Sequence, residues 1–71
     1  MNESSGTVKW FNKEKGYGFI KPDQTNEDVF IHISALEKSG LDHLKDGQRV
    51  TFKLEKNKNR FCAVDLKKIE N

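Results

Sequence analysis

Residues 15–21 read Lys-Gly-Tyr-Gly-Phe-Ile-Lys. Two glycines, poor residues for a strand interior, alternate here with aromatics that favour one. As a strand, the period of two puts Lys15, Tyr17, Phe19 and Lys21 on one face and Gly16, Gly18 and Ile20 on the other. The glycine face admits a neighbouring backbone at close range. The aromatic face carries lysines, which are almost never buried unpaired. The rings therefore face water, and an exposed aromatic row implies a use beyond folding.

That exposure is a concession in a chain of 71 residues, which suffices for one domain and not two. A domain this small is expected to hold on the order of 3–5 kcal/mol of stability. We read residues 1–71 as that single domain, with residues 1–5 a frayed start. Thr7–Asn12 is rich in strand formers, and Asn12-Lys13-Glu14 supplies a turn before the glycine-aromatic strand, which Pro22 ends. After a polar loop, Val29–Ile33 forms a third strand with Val29, Ile31 and Ile33 on one face and Phe30 and His32 on the other. Ser34 to Glu37 has capping-box spacing for one helical turn, stopped by Gly40. Gln48–Glu55 alternates with Val50, Phe52 and Leu54 inward, and Phe61–Lys67 with Cys62, Val64 and Leu66 inward. Five short strands and almost no helix predict an all-β fold, a small antiparallel barrel that removes its edges by closing. Strict alternation sets Val8 and Trp10 on the same face, whereas Val8 suits the core and Trp10 the surface; a bulge or strong coiling near Trp10 would reconcile them, and the sequence marks neither.

Five of the seven aromatics, Trp10, Phe11, Tyr17, Phe19 and Phe30, fall within the first three strands, and His32 joins them. Nucleobases have flat π-faces, and an aromatic platform gains about 1–3 kcal/mol per stacked base. Lys9, Lys15, Lys21, Lys58 and Arg60 can neutralise phosphates while the rings hold bases. Were the rings core and the lysines a solvated rim, lysines would not fall in phase with Tyr17 and Phe19. Lys-Gly-Tyr-Gly-Phe-Ile also matches the opening of a single-stranded RNA-binding signature. The RNA-recognition-motif fold is nevertheless excluded, because its companion strand comes first and it needs two full helices.

Thr7–Asn12, then Lys15–Ile20, then Asp28–Leu36, then Asp46–Phe52 together resemble the bacterial cold-shock proteins, from Gly6 to Leu66. The resemblance implies an OB-type five-stranded barrel with single-stranded RNA and DNA as ligands. It further implies an RNA-chaperone or antitermination role without a cofactor. It assigns Trp10, Phe11, Tyr17, Phe19, Phe30 and His32 to stacking positions and Lys9, Lys15 and Asp28 to contact positions. Two departures trim the platform: Ile33 and Leu41 stand where many members carry aromatics. Phe61, which the family pattern does not lead one to expect, reads as outward beside Lys58 and Arg60. It is either an extra stacking site or a hydrophobic lid on one open end of the barrel.

His32, His43 and Cys62 match no zinc spacing, so no metal site is expected. His32 read alone could be a packed structural histidine, but its partnership with Phe30 on the outward face favours a stacking ring. No nucleophile or carboxylate sits in a catalytic motif, so no enzyme activity and no small-molecule substrate are expected. A net charge of +2 permits a nucleic-acid partner without demanding one. One cysteine excludes an internal disulfide and fits a reducing compartment. With no apolar run of membrane-spanning length, the expectation is a cytoplasmic monomer. Two rivals stand: a protein-interaction barrel, expected to show weak salt dependence, and a hydrolytic nuclease, which lacks a carboxylate cluster for metal.

Overall fold

The computed structural model describes residues 3–69 as a closed barrel of five strands and one short helix. The strands are β1 (Glu3–Asn12), β2 (Tyr17–Pro22), β3 (Val29–His32), β4 (Arg49–Asn57) and β5 (Arg60–Lys68), with α1 (Ile33–Lys38) between β3 and β4. Around the barrel the order is β1-β2-β3-β5-β4, and β4 closes back onto β1. This is the expected all-β OB-type fold with one correction. The strands are not all antiparallel, because β3 meets β5 in parallel at Phe30 and Cys62.

The start of the chain is also corrected. Residues 3–5 were expected to fray, yet Glu3, Ser4 and Ser5 pair with Lys53, Phe52 and Thr51 of β4. Met1 and Asn2 lie outside the described residues.

The bulge near Trp10 is present. Val8 pairs with Ile20 and Trp10 with Phe19, so Lys9 is an extra residue on β1. The insertion rotates the strand by one side chain, which sends Val8 into the core and Trp10 out, 38% exposed. The same rotation turns Phe11 inward. Gly18, its partner on β2, is required there: a Cβ would overlap the Trp10 carbonyl oxygen and sit 2.7 Å from Phe11 Cα. Gly16 has a different task. It adopts φ 82° at the end of the turn after β1, and its N–H donates to the Asn12 carbonyl at 2.8 Å, so residues 15 and 16 precede the strand rather than belong to it.

α1 starts two residues earlier than the capping-box reading. His32, not Ser34, is the N-cap, with its side chain accepting from the Ser34 N–H. Ile33 thereby passes from strand to helix. Ser39 ends the helix and Gly40 follows at φ 77°, as a C-terminal glycine does. The core contains Val8, Phe11, Ile20, Val29, Ile31, Leu36, Val50, Phe52 and Leu66, and also Leu44 from the connection before β4.

Three inward assignments fail on the last hairpin. Leu54 is 42% exposed, because β1 stops pairing with β4 at Lys53 and the hairpin overshoots the barrel wall. On β5, Ala63 and Leu66 are buried, whereas Cys62 and Val64 are half-buried. The pairs Thr51–Lys67 and Lys53–Val64 leave Phe52 facing two β5 residues, a bulge in which Asp65 takes φ 53°. It resets the alternation between Ala63 and Leu66. Phe61 shares the inner phase of Ala63, two residues on, and not the outward phase read from sequence. Its exposure, 50%, arises because it too lies beyond the barrel wall.

Candidate nucleic-acid interface

Three strands bring the aromatic residues to one surface through their register. Trp10 pairs with Phe19, Phe19 with Phe30 and Tyr17 with His32, and paired residues share a sheet face. The rings form a connected sheet. Trp10 meets Tyr17 at 5.7 Å and Phe19 at 5.5 Å between centroids, both edge-on. Tyr17 stacks on Phe30 at 5.9 Å and Phe19 meets Phe30 edge-on at 5.8 Å. His32 extends the row, 6.4 Å from Phe30. Such edge-to-face contacts fix ring orientation while leaving other faces open.

His32 joins both readings that the sequence raised. Its ring is exposed in the row, while Nδ1 accepts from the Ser34 N–H at 3.1 Å and lies 2.9 Å from Ser34 Oγ. Capping α1 holds the imidazole in position, and the proton of a neutral ring then resides on Nε2.

Phe11 is the correction among the stacking candidates. It is 8% exposed and belongs to the core, with its ring centroid 6.4 Å from that of His43 in an edge-on contact. Ile33 and Leu41 pack partly buried against the same core, so the positions that lack aromatics contribute to folding.

The cations surround the rings unequally. Lys9, displaced outward by the bulge, is 3.0 Å from Asp28 Oδ2, which ties β1 to the start of β3. Lys15 is exposed in the turn before β2. Its expected alternation with Tyr17 and Phe19 is broken by the left-handed Gly16. Lys58 occupies the two-residue turn between β4 and β5 at φ 61°, and Lys21 lies beyond Phe19 opposite Thr7. Arg60, expected in a loop, is the first residue of β5. The parallel pairing of Phe30 with Cys62 brings it to the platform, where its guanidinium lies 4.8 Å from the Phe30 ring centroid. Phe61 sits off the platform with Lys56 Nζ 6.0 Å from its ring centroid. A groove of about 300 Å³ joins the two, lined by Phe19, Glu27, Asp28, Phe30, Asn59, Arg60 and Phe61.

The strongest ion pair lies elsewhere. Arg49 grips Asp23 with two hydrogen bonds, of 2.7 and 2.8 Å, and Ser5 donates a third at 2.8 Å. These bonds, Arg49's first, hold the Asp23 carboxyl down at about 2. The cluster clamps β1, the loop after β2 and β4 together. Among the described residues no group of His, Cys, Asp and Glu side chains is gathered to hold a metal, and no helix is long and apolar enough to cross a membrane.

A closed five-stranded barrel with an outward aromatic sheet face defines a class of small OB-type nucleic-acid-binding domains. Comparison with known proteins specifies which. The family model for the "cold-shock" DNA-binding domain matches residues 4–69. A probable cold shock protein of Sinorhizobium fredii is 56% identical over 55 residues, covering 78% of this chain and 80% of that one. Cold shock protein CapA of Pseudomonas fragi is 54% identical over 59 residues, covering 83% of this chain and 92% of that one. Cold shock protein CapB of Pseudomonas syringae is 43% identical over 68 residues, or 96% and 97% of the two chains. The chain belongs to the cold-shock domain family of nucleic-acid-binding proteins.

Proposed function

We propose that this domain binds single-stranded RNA and DNA by stacking successive bases on Trp10, Tyr17, Phe19, Phe30 and His32. The observation that carries this reading is the unbroken outward ring row running from β1 through β2 to β3. A duplex hides its base faces, so such a row suits only unpaired strands. Lys9, Lys15, Lys58 and Arg60 neutralise phosphates along the path, and Asp28, held by Lys9, offers a carboxylate to a base edge. Stacking is indifferent to base identity, so sequence preference along the row is slight.

Occupying unpaired strands shifts RNA hairpins toward open forms by mass action, without ATP. That is the action of an RNA chaperone and transcription antiterminator, and we assign it to a cytoplasmic monomer. The test is a Trp10 fluorescence titration with a short pyrimidine strand and with its duplex at several salt concentrations. Salt-sensitive quenching by the strand alone is expected. Equal response to the duplex, or no response to either, overturns the reading.

A further inference from the structure

Phe61, Leu54 and Trp10 are the large hydrophobic side chains most exposed in the described residues. Trp10 belongs to the platform, and the other two lie on the overshooting β4–β5 hairpin. The groove between Phe61 and the β2–β3 loop, about 300 Å³, includes Phe19 and Phe30 in its lining. The platform thus continues into it without a break. Its volume stands at the lower limit of ligand sites, roughly 300–1,000 Å³, which suits one flat ring system and no larger partner.

Its polar groups are unusual beside a surface meant for a polyanion. Glu27 and Asp28 line the groove on one side, Asn59 and Arg60 on the other. Carboxylates repel phosphate and accept hydrogen bonds only, so their use here is toward N–H groups on a base edge. The loop carrying them is braced: the Glu27 N–H donates to Thr25 Oγ1 at 2.8 Å, and Asp28 is held by Lys9 at 3.0 Å. Glu27 enters no ion pair among the described residues. The cations stand at the groove's two ends, with Arg60 over Phe30 and Lys56 by Phe61, where phosphates on either side of an inserted base would lie.

We propose that this groove is a base-reading subsite for guanine at one end of a bound strand, with Phe61 as its stacking wall and Glu27 as its reader. The inference rests on the platform reading above. Guanine presents N1–H and N2–H₂ side by side, a match for one carboxylate. Thymine and uracil flank their single N–H with two carbonyl oxygens, which a carboxylate repels. The stacking row reads no sequence. This subsite adds one position that does, and it orients the strand.

The experiment measures the affinity of short thymidine strands carrying one guanine at each position in turn, with inosine replacing guanine as a control. The proteins are the wild type, Glu27→Gln, Phe61→Ala and Tyr17→Ala. Guanine at one end is expected to tighten wild-type binding roughly tenfold over thymine, and inosine, lacking the 2-amino group, to lose most of that gain. In Glu27→Gln and in Phe61→Ala the guanine-to-thymine ratio falls toward one, whereas Tyr17→Ala, on the platform but outside the groove, weakens both strands and keeps the ratio. If no position favours guanine, or the preference survives Glu27→Gln, the subsite is overturned while the platform stands. If the all-thymidine strand fails to bind the wild type, the platform reading fails and the subsite with it.

Discussion

The Arg60 guanidinium lies over the Phe30 ring, 4.8 Å from guanidinium carbon to ring centroid. The contact is a cation–π pair at the middle of the aromatic row, and it places a delocalised cation where a base would stack. In the proposed binding mode a base entering here would exchange one π contact for another, freeing Arg60 for a phosphate. For the wild type, plots of log K against log salt are expected to slope by about −2 to −3, at roughly −0.7 per phosphate contact on a single strand. Arg60→Ala should weaken binding and make the slope shallower by about 0.7. Arg60→Lys should restore the slope without full affinity, since an ammonium lacks the planar face. A slope unchanged in Arg60→Ala would remove Arg60 from the phosphate path.

Neighbouring residues on β3 separate binding from folding. Phe30 is half-buried on the outward face and Ile31 fully buried on the inward one. Phe30→Ala is expected to cost about 1–3 kcal/mol of binding while the domain still unfolds cooperatively. Ile31→Ala should cost about 2–5 kcal/mol of stability by leaving a cavity. Oligonucleotide titration and urea denaturation of both variants check the pair. The opposite pattern would mean that the two faces had been exchanged.

The outward face of β2 was legible in the sequence because a period of two, once Lys21 fixes that face, leaves little freedom for Tyr17 and Phe19, and Val29 and Ile31 do the same for Phe30 on β3. Trp10 and Phe11 were not both legible. Their faces depend on an extra residue at Lys9, and a bulge leaves no compositional mark when its inserted residue is an ordinary lysine. The hairpin held more information than alternation extracted. A two-residue turn at Lys58-Asn59 pairs Lys56 with Phe61 and Leu54 with Ala63, so register counting would have put Phe61 and Ala63 on the face of Leu54. Arg60's place at the platform follows from a parallel contact between β3 and β5. Such a contact joins strands far apart in the chain and has no local signal.

The Asp23–Arg49 clamp gives the fold an acid sensitivity of defined sign. Arg49, the largest cause, lowers the Asp23 carboxyl from 3.8 to about 2 in the folded state. Since the folded-state value is the lower one, the contribution is complete above the unfolded value and disappears as pH falls through about 2. Wild type should therefore lose melting temperature faster than Asp23→Asn across that window. At neutral pH the order reverses, with Asp23→Asn melting lower because the amide cannot pair with the guanidinium. Parallel melting curves from pH 5 to 2 would remove the clamp from the account of stability.

The two glycines of Lys-Gly-Tyr-Gly-Phe-Ile are required for different reasons, and alanine distinguishes them. At Gly16 a Cβ has room, 3.4 Å from Ile33 Cγ2, but the backbone is left-handed at φ 82°. Gly16→Ala should cost about 1–2 kcal/mol of stability and leave the ring row in place. At Gly18 the backbone is extended and the obstacle is contact: the new Cβ would overlap the Trp10 carbonyl oxygen and lie 2.9 Å from Phe11 Cδ1. The neighbour that must yield is backbone, at the very bulge that turns Trp10 outward. Gly18→Ala should therefore cost about 1–3 kcal/mol or more and also shift Trp10 fluorescence and weaken strand binding in whatever fraction remains folded. Denaturation with Trp10 emission followed in the folded baseline checks both variants. If Gly18→Ala kept the wild-type emission and affinity, the close approach of β1 to β2 would not be what sets Trp10 on the platform.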